Sequence, residues 1–325
     1  MIKNIGIIGS GKAANNFCRN ISVNKNFHLF SVFSRNIKHA EVFSKKFNAT
    51  CYFDNLEDFL SQKNLDIIYI ALPTSLHFQY AKKCLEAKKN TIVEKPLCSN
   101  IDEANILFAI AELYGVRLVE AIWTIYLPKI KNFMNFITHD VSNIKNVKSS
   151  ICLPNTDLDN EIFTNKKAGG CLLDLGVYPL HLMSYIDENF KEIKVHDIEK
   201  NQHDIETSIK FEITYESFKF ICLVSILSKK DDSYFYIKHF DSHSKIFHPI
   251  FNPPFLFNNK KKLKHDLNFY INKILGKFKN KLMKRNPLHY QLEVFTYNDN
   301  QYEVAKNRTL LVLTIIDKLK KIYEY

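Results

Sequence analysis

Lys95 lies where a cationic side chain could assist the transfer of a hydride. It lies in Glu94-Lys95-Pro96, directly after the apolar stretch NTIV. A lysine ammonium beside a developing alkoxide supplies a positive charge and three hydrogen-bond donors, which helps a hydride to leave or reach the adjacent carbon. Because ligands of open α/β sheets bind at the carboxyl ends of strands, Lys95 is a candidate catalytic residue. The alternative is a solvated loop lysine.

A second set of polar residues lies inside the apolar segment AGGCLLDLGVYPLHL, residues 168–182. Asp174, Tyr178 and His181 are spaced i, i+4 and i+7, which predicts one face of a helix over residues 171–187. Buried polar groups need partners or a cavity. Asp174 and Tyr178 are therefore candidate site residues: a phenol near the Lys95 ammonium could pass a proton to or from a substrate hydroxyl, and the Asp174 carboxylate could support it. A tyrosine hydrogen-bonded in the core is the alternative, and His181 is interpreted as a core residue.

The opening stretch IGIIGSGKAANNF has glycines between a predicted strand and a predicted helix. Gly9 would allow a tight turn, Gly11 would allow close approach of a pyrophosphate, and Ala14 replaces the third glycine of a dinucleotide loop. A turn that binds nothing fits the same two glycines. The candidate cofactor-binding residues of this loop are Gly9, Ser10, Gly11, Lys12 and Ala13.

Further candidate cofactor residues follow the next predicted strands. Ser34 and Arg35 stand where NAD-binding proteins carry a carboxylate for the ribose hydroxyl, and they suit a 2′-phosphate, which favours NADP while leaving NAD possible. The alternatives are that Arg35 is a solvated loop residue, or that it stacks on the adenine of either cofactor. The remaining candidates at the ligand-binding edge are Leu72, Pro73, Thr74, His77, Glu94 and Lys95.

Together these motifs resemble the Gfo/Idh/MocA oxidoreductase family, which includes glucose–fructose oxidoreductase, inositol dehydrogenase and dihydrodiol dehydrogenase. The residues that carry the resemblance are GSGKAA at 9–14, SR at 34–35, PTSLH at 73–77, EKP at 94–96, EAIWTIYLP at 120–128 and the segment 168–182. The resemblance implies an NAD(P)-dependent enzyme acting on a secondary alcohol or ketone of a sugar, nucleotide sugar or cyclic polyol.

The same resemblance implies further details of the site. In the family, the lysine contacts the nicotinamide ribose, the following proline peptide is often cis, and an open sheet commonly mediates pairing into a homo-oligomer. Tyr178 stands where many members have histidine. The chain departs from the dihydrodiol-type sequences at Ile125, where they commonly have arginine, which puts that branch's substrate in doubt.

These residues must be positioned by an α/β fold. Strands predicted at 2–9, 28–35, 65–72, 90–96 and 117–123 alternate with helices at 12–23, 37–47, 76–89 and 101–114, which indicates a Rossmann doubly wound parallel sheet. Strands at 146–154, 207–217, 218–228 and 234–240 lie close together, and another helix is predicted at 306–322. We predict a dinucleotide-binding domain at 1–122 and a C-terminal α+β domain at 123–325, with a mostly antiparallel open sheet for substrate binding and oligomerisation.

The net charge of +11 is concentrated in residues 258–286, which hold ten Lys or Arg and one Asp. Within that segment, residues 266–285 have the apolar spacing of a basic amphipathic helix. Such a helix can lie on an anionic membrane, but packing against protein is favoured. No groove-reading motif accompanies the basic residues, so we expect no nucleic-acid partner.

The 325-residue chain has seven cysteines without a CxxC pair, and its histidines show no metal-binding spacing. We therefore expect reduced thiols and no metal site. With neither a leader-like segment nor a long apolar run, we expect a cytoplasmic protein. The alternative function is a non-catalytic sensor or regulator that keeps the fold and binds NAD(P) or a sugar.

Overall fold

The computed structural model describes residues 2–21, 25–138, 141–155, 157–240, 244–247, 256–258, 291–292, 294–295 and 298–324. These residues form two compact units. The first unit holds the described residues up to Trp123 and those between 291 and 310. The second holds the described residues from Thr124 to 258 and from Leu311 onward.

The first unit is built on a six-stranded parallel sheet with the strand order β3-β2-β1-β4-β5-β6. Its strands are β1 (Lys3–Ile8), β2 (Phe27–Phe33), β3 (Cys51–Phe53), β4 (Ile67–Ile70), β5 (Asn90–Glu94) and β6 (Leu118–Ala121). Apolar side chains of β1 and β4 are almost completely excluded from solvent, as expected for strands covered on both faces. The predicted Rossmann sheet is confirmed, and the three-residue β3 is an addition to it.

The helices between these strands are α1 (Lys12–Ile21), α2 (Ile37–Phe47), α3 (Leu56–Leu60), α4 (Thr74–Glu86) and α5 (Ile101–Leu113). Asparagine side chains cap three of them: Asn36 on α2, Asn55 on α3 and Asn100 on α5. Each cap accepts hydrogen bonds from backbone N–H groups that the first helical turn leaves without partners. The caps fix where each helix begins after its strand.

Residues from the C-terminal part of the chain pack along β6. The Tyr302 hydroxyl lies 2.9 Å from the backbone nitrogen of Leu118 and 3.2 Å from its carbonyl oxygen. Arg117 donates to the carbonyl of Val294 and to Asp299. In the structure the described residues between 291 and 310 belong to the first unit, whereas the division predicted at residue 122 assigns them to the C-terminal domain.

The second unit contains a seven-stranded sheet with the order β13-β12-β11-β7-β10-β9-β8. Its strands are β7 (Ile144–Pro154), β8 (Glu192–Lys200), β9 (Glu206–Thr214), β10 (Lys219–Ser225), β11 (Leu227–His239), β12 (Ser244–Phe247) and β13 (Leu256–Asn258). Only the β10–β7 pairing is parallel among those described, so the mostly antiparallel sheet is confirmed. The predicted fold class, an α/β Rossmann unit followed by an α+β unit, is thus confirmed.

The remaining helices are α6 (Pro128–Thr138), α7 (Glu161–Thr164), α8 (Val177–Ile186) and α9 (Asp299–Tyr323). A π-helical turn at Leu172–Gly176 runs directly into α8, and short 3₁₀ turns occupy Trp123–Tyr126 and Val141–Asn143. Among the described residues, none of the helices has the length and hydrophobicity that crossing a bilayer requires. The basic segment 258–286, apart from its first residue, and the amphipathic helix predicted at 266–285 lie outside the described residues.

Candidate active site

The register of the first unit's sheet aligns the carboxyl ends of four neighbouring strands. Ile8 pairs with both Phe33 and Ile70, and Ile70 pairs with Val93. The strand order runs in opposite directions from β1, through β2 to β3 on one side and through β4 to β6 on the other. Doubly wound folds have their ligand crevice at the point where the order reverses. The predicted cofactor residues after β1, β2, β4 and β5 are therefore brought to one edge of this sheet.

The glycine loop after β1 has the geometry that a phosphate cradle requires. Gly9 has a φ of +105°, and a Cβ atom there would lie 2.5 Å from the carbonyl oxygen of Ala71. A Cβ on Gly11 would meet nothing within 4 Å, so the backbone faces open space immediately before α1 begins at Lys12. Ala14 is fully buried where α1 packs on the sheet. A dinucleotide pyrophosphate fits this loop, because the helix N-terminus and a glycine backbone without side chain face the open space.

One side chain braces the loop from within α1. The amide of Asn15 donates hydrogen bonds to the carbonyl oxygens of Ser10 (3.2 Å) and Gly11 (2.9 Å). Its own oxygen accepts a hydrogen bond from Lys46 of α2 at 2.6 Å. These contacts hold two carbonyl groups of the loop on the side of α1.

The loop after β2 places Ser34 and Arg35 next to each other before α2. The backbone nitrogen of Ser34 donates to the carbonyl of Phe53, which fixes its backbone to β3. Arg35 is exposed. Asn36 accepts hydrogen bonds from the backbone nitrogens of Lys38 and His39, so the side chains of residues 34 and 35 are what this loop offers a ligand.

The loop after β4 leads through Leu72 and Pro73 into α4, whose first residue is Thr74. His77 is 1% exposed, and its ring nitrogens lie 2.8 Å from the carbonyl oxygen of Leu72 and 2.7 Å from that of Pro96. The histidine therefore joins the loop after β4 to the loop after β5. This placement favours support of the two loops over direct contact with a ligand.

The loop after β5 carries the candidate lysine. Glu94 Oε2 accepts the backbone N–H of Lys95 at 3.2 Å, and Glu94 Oε1 accepts a hydrogen bond from the Tyr69 hydroxyl. Burial raises the pKa of the Glu94 carboxyl, against the opposing effects of Tyr69 and Lys95. The Lys95–Pro96 peptide bond is cis. The Glu94 carboxyl group thus holds the backbone of the lysine through its N–H group.

Glu120, at the end of β6, holds the same loop one residue beyond the proline. It is 3% exposed, and its Oε1 accepts the backbone N–H of Leu97 at 3.2 Å. Its Oε2 accepts a hydrogen bond from the Thr309 hydroxyl of α9 at 3.1 Å. The sequence analysis quoted Glu120 only as the first residue of EAIWTIYLP and gave its side chain no role, although a carboxylate within the apolar strand sequence LVEA was a visible anomaly.

In the second unit, Asp174 lies in the π-helical turn and Tyr178 lies in the first turn of α8. The spacing argument assumed a regular α-helix, and the π turn changes the direction of Asp174 relative to that prediction. Single π turns inside helices are frequent at functional sites. Tyr178 is 7% exposed and His181 is fully buried, which agrees with the core interpretation of the histidine.

Glu206 of β9 seats the beginning of this helical segment. Gly170 has a φ of +95°, and a Cβ there would overlap the Glu206 carboxyl group. Burial raises the pKa of Glu206, and the positive charge of Lys320 opposes that effect. The glycine pair at 169–170 is therefore required by close packing, a reason that the sequence alone did not reveal.

The structure thus groups the predicted cofactor residues and Lys95 within the first unit, and Asp174 with Tyr178 within the second. The assignment of these residues to binding and catalysis stays a prediction. Supporting residues that the sequence interpretation missed are Asn15, Tyr69, Glu120, Glu206 and Thr309. No cluster of His, Cys, Asp or Glu able to hold a metal ion occurs within the described ranges.

Comparison with known proteins supports this description. Residues 3–122 match the sequence model of GFO_IDH_MocA, described as "Oxidoreductase family, NAD-binding Rossmann fold". The chain is 26% identical over 233 residues to scyllo-inositol 2-dehydrogenase (NADP(+)) IolU of Bacillus subtilis, covering 68% of this chain and 69% of that protein. It is 28% identical over 184 residues to trans-1,2-dihydrobenzene-1,2-diol dehydrogenase of Mus musculus, and it spans 55% of that relative.

Solved structures show the same fold over nearly the whole chain. One is KijD10, a 3-ketoreductase from Actinomadura kijaniata in complex with NADP and TDP-benzene, with a TM-score of 0.77, 16% identity and 96% of each chain covered. Another is the aldose-aldose oxidoreductase of Caulobacter crescentus complexed with glycerol, with a TM-score of 0.79, 14% identity, and 99% and 97% covered. By its motifs and these matches the chain is similar to the Gfo/Idh/MocA oxidoreductases, and the match to the family's own model covers residues 3–122.

Proposed function

We propose that this protein transfers a hydride between NADP(H) and a secondary alcohol or ketone of a sugar, nucleotide sugar or cyclic polyol. The observation that carries the proposal is the edge of the first sheet, where the glycine loop follows β1 and faces open space. The Lys95 loop follows β5 at the same edge, and only β4 separates the two strands. The relatives named above act on polyols and diols, and the similar structures include sugar-modifying enzymes.

The cofactor would be held by the loops described at that edge. The N-terminus of α1 and the backbone of Gly9 to Ala13 would bind the pyrophosphate. Ser34 and Arg35 would bind the 2′-phosphate, because a hydroxyl and a guanidinium suit a dianion where a carboxylate would repel it. This pairing supports NADP over NAD. The relative IolU is named for NADP(+).

In the proposed reaction, a bound nicotinamide would accept or supply the hydride. Lys95 Nζ would donate a hydrogen bond to the substrate oxygen and stabilise the negative charge that forms on it. The Tyr178 hydroxyl would give a proton to that oxygen in reduction, or take one from it in oxidation. Asp174 would accept hydrogen bonds from neighbouring substrate hydroxyls. Lys95 and Tyr178 belong to different units, and their action on one substrate is part of the proposal.

We further infer a cytoplasmic homo-oligomer. None of the seven cysteines, which all lie in the part of the chain that the structure describes, forms a disulfide, and this agrees with a reducing compartment. The proposed pairing surface is the sheet of the second unit, on the grounds of the family resemblance. Contact of residues 266–285 with a membrane is the weaker alternative to packing against protein.

Titration of the single tryptophan, Trp123, with NADPH and then NADH tests the cofactor part. We expect quenching that saturates at micromolar NADPH, with weaker binding of NADH. If neither cofactor binds, the glycine loop is only a turn. If NADPH binds but a panel of sugars, nucleotide sugars and polyols gives no turnover, the sensor function replaces the enzyme.

Substitutions at Gly9 and Gly11 distinguish a loop that binds the pyrophosphate from a turn that binds nothing. Gly11→Ala places a methyl group in the open space and should weaken NADPH binding by about tenfold or more without lowering the melting temperature. Gly9→Ala should instead lower the melting temperature, because its Cβ would collide with Ala71. Unchanged NADPH affinity in Gly11→Ala, measured by the Trp123 signal, would contradict the cradle.

A further inference from the structure

We propose that Glu120 is a positioning residue for Lys95, and that Thr309 of α9 holds Glu120 in place. The inference rests on the proposed function of Lys95 and extends it to two residues to which the sequence analysis gave no role in the site. Neither side chain needs to touch a ligand in this role. Both belong to the first unit.

Three backbone groups around the cis proline, in the loop from Glu94 to Leu97, have side-chain partners. Glu94 accepts the N–H of Lys95, His77 contacts the carbonyl of Pro96, and Glu120 accepts the N–H of Leu97. Proline has no N–H of its own to donate. The backbone direction of the lysine is therefore set from both sides.

Glu120 differs from the other two supports because its anchor comes from distant sequence. The strand register places Glu120 opposite Val93, one residue before Glu94. Its second oxygen accepts the Thr309 hydroxyl across 189 positions of the chain. A carboxylate with both oxygens engaged has a defined orientation, so it can hold the Leu97 amide at a fixed point.

The geometry matters for the reaction because a small displacement of a charge-stabilising group has a large effect. A misplacement of about 1 Å by a change outside the reacting groups can lower a rate by about 100-fold. Loss of the Glu120 acceptor would leave the buried N–H of Leu97 without its partner, and the loop would have to move to solvate it. Lys95 would move with the loop.

The first experiment compares Glu120→Gln with Glu120→Leu. The glutamine keeps an oxygen for Leu97 and an amide that can donate to the Thr309 hydroxyl, so we expect its kcat to stay within about threefold of wild type. The leucine keeps the volume and removes the acceptor, and we expect kcat to fall by roughly 10- to 100-fold with NADPH affinity unchanged. Rates are expressed per NADPH-binding site, so that a loss of folded protein is not counted.

A matched control uses another carboxylate of the same region. Glu103 accepts the backbone N–H of Ser99 at 3.0 Å, two residues beyond Leu97. Glu103→Leu should leave kcat per binding site unchanged even where it lowers the melting temperature. Equal losses of kcat in Glu103→Leu and Glu120→Leu would overturn the proposal, since any damage to the loop would then suffice.

Thr309→Val keeps the inference testable if Glu120→Leu fails to fold. Valine has nearly the shape of threonine without the hydroxyl, and we expect a kcat loss of roughly three- to tenfold. Wild-type kcat in this variant would overturn the role of α9. Equal losses in Glu120→Gln and Glu120→Leu would overturn the positioning role, because charge and not geometry would then matter.

Hydrogen–deuterium exchange provides a readout that does not depend on turnover. We expect faster exchange at the Leu97 amide in Glu120→Leu and wild-type protection in Glu120→Gln. If wild-type protein shows no turnover with any substrate, the proposed function fails while this exchange result still decides whether Glu120 holds the loop. Unchanged exchange at Leu97 in Glu120→Leu would overturn the inference.

Discussion

The segment that carries Lys95 and the segment that carries Asp174 and Tyr178 are supported in different ways. The lysine loop is held by hydrogen bonds from side chains to its backbone, with Glu94 and Glu120 as acceptors. The helical segment is seated by close packing, with Gly170 directly against Glu206. Both supports contain a buried carboxyl group, but only in the lysine loop does a carboxyl group orient the backbone by accepting its N–H groups. We infer that the lysine loop depends on hydrogen-bond geometry and the helix on the absence of a side chain.

The largest expected effect concerns the lysine itself. Lys95→Met should lower turnover by about 1,000-fold or more, because it removes the cation that stabilises the substrate oxygen. NADPH binding should stay within about tenfold. The same substitution at Lys82, an exposed residue paired with Glu86 on α4, is the control and should leave kcat unchanged. Substantial turnover in Lys95→Met would contradict the proposed mechanism.

The next effect concerns the helical segment. Tyr178→Phe should lower kcat by about 100-fold while leaving NADPH affinity unchanged, because it removes a proton-transfer group and little volume. Tyr215→Phe is the matched control, since Tyr215 is a buried tyrosine of the same unit that stacks on Phe218. Similar kinetic losses in both variants would indicate a general packing defect instead of a role for Tyr178 in proton transfer.

The packing of the helical segment can be tested through stability. Gly170→Ala should lower the free energy of unfolding by about 2–4 kcal/mol, because its φ is positive and its Cβ would overlap Glu206. Gly115 has a φ of +65° but open space around its Cβ, so Gly115→Ala should cost only about 1–2 kcal/mol. Urea unfolding measures both. Equal losses of unfolding free energy in the two variants would show that the positive φ alone sets the cost, and that the contact with Glu206 adds nothing to it.

The smallest effect concerns the pH dependence of stability. Burial raises the pKa of Glu94 above its ordinary value, so the folded state keeps its proton over a range where the unfolded state has lost it. The free energy of unfolding therefore falls as pH rises from about 4.3 towards the raised pKa. Glu94→Gln should remove this decline. Urea unfolding between pH 4 and 7 would show parallel curves for the two proteins if Glu94 has no such shift.

Much of this architecture could be predicted because its signals are local. The buried strands of the first unit are continuous apolar runs, and the glycine loop, EKP and the helix from 171 carry their own motifs. The three-residue β3 is too short to give a period, and β8 has largely polar sequence. The helix predicted at 306–322 begins at Asp299 in the structure.

The supports of the site were harder to predict for a different physical reason. The residues adjacent to Glu120 in the sequence do not explain why a carboxylate lies inside a strand. The explanation is its hydrogen bonds with Leu97 and Thr309, which are distant in the sequence. Glu206 likewise explains Gly170 from 36 positions away in the sequence. Sequence motifs reveal residues that contact a ligand more readily than they reveal the residues that hold those contacting residues in place.

The docking of Tyr302 on Leu118 has a consequence for synthesis. The two residues are 184 positions apart, so β6 leaves the ribosome long before the hydroxyl that bonds its backbone. Contacts of such sequence separation form late and slow the completion of a fold. During translation, β6 is therefore expected to remain an uncovered edge strand of the first unit's sheet, accessible to chaperones, until Tyr302 has been synthesised. A fragment ending at residue 123 would keep that edge permanently exposed and should aggregate when expressed alone.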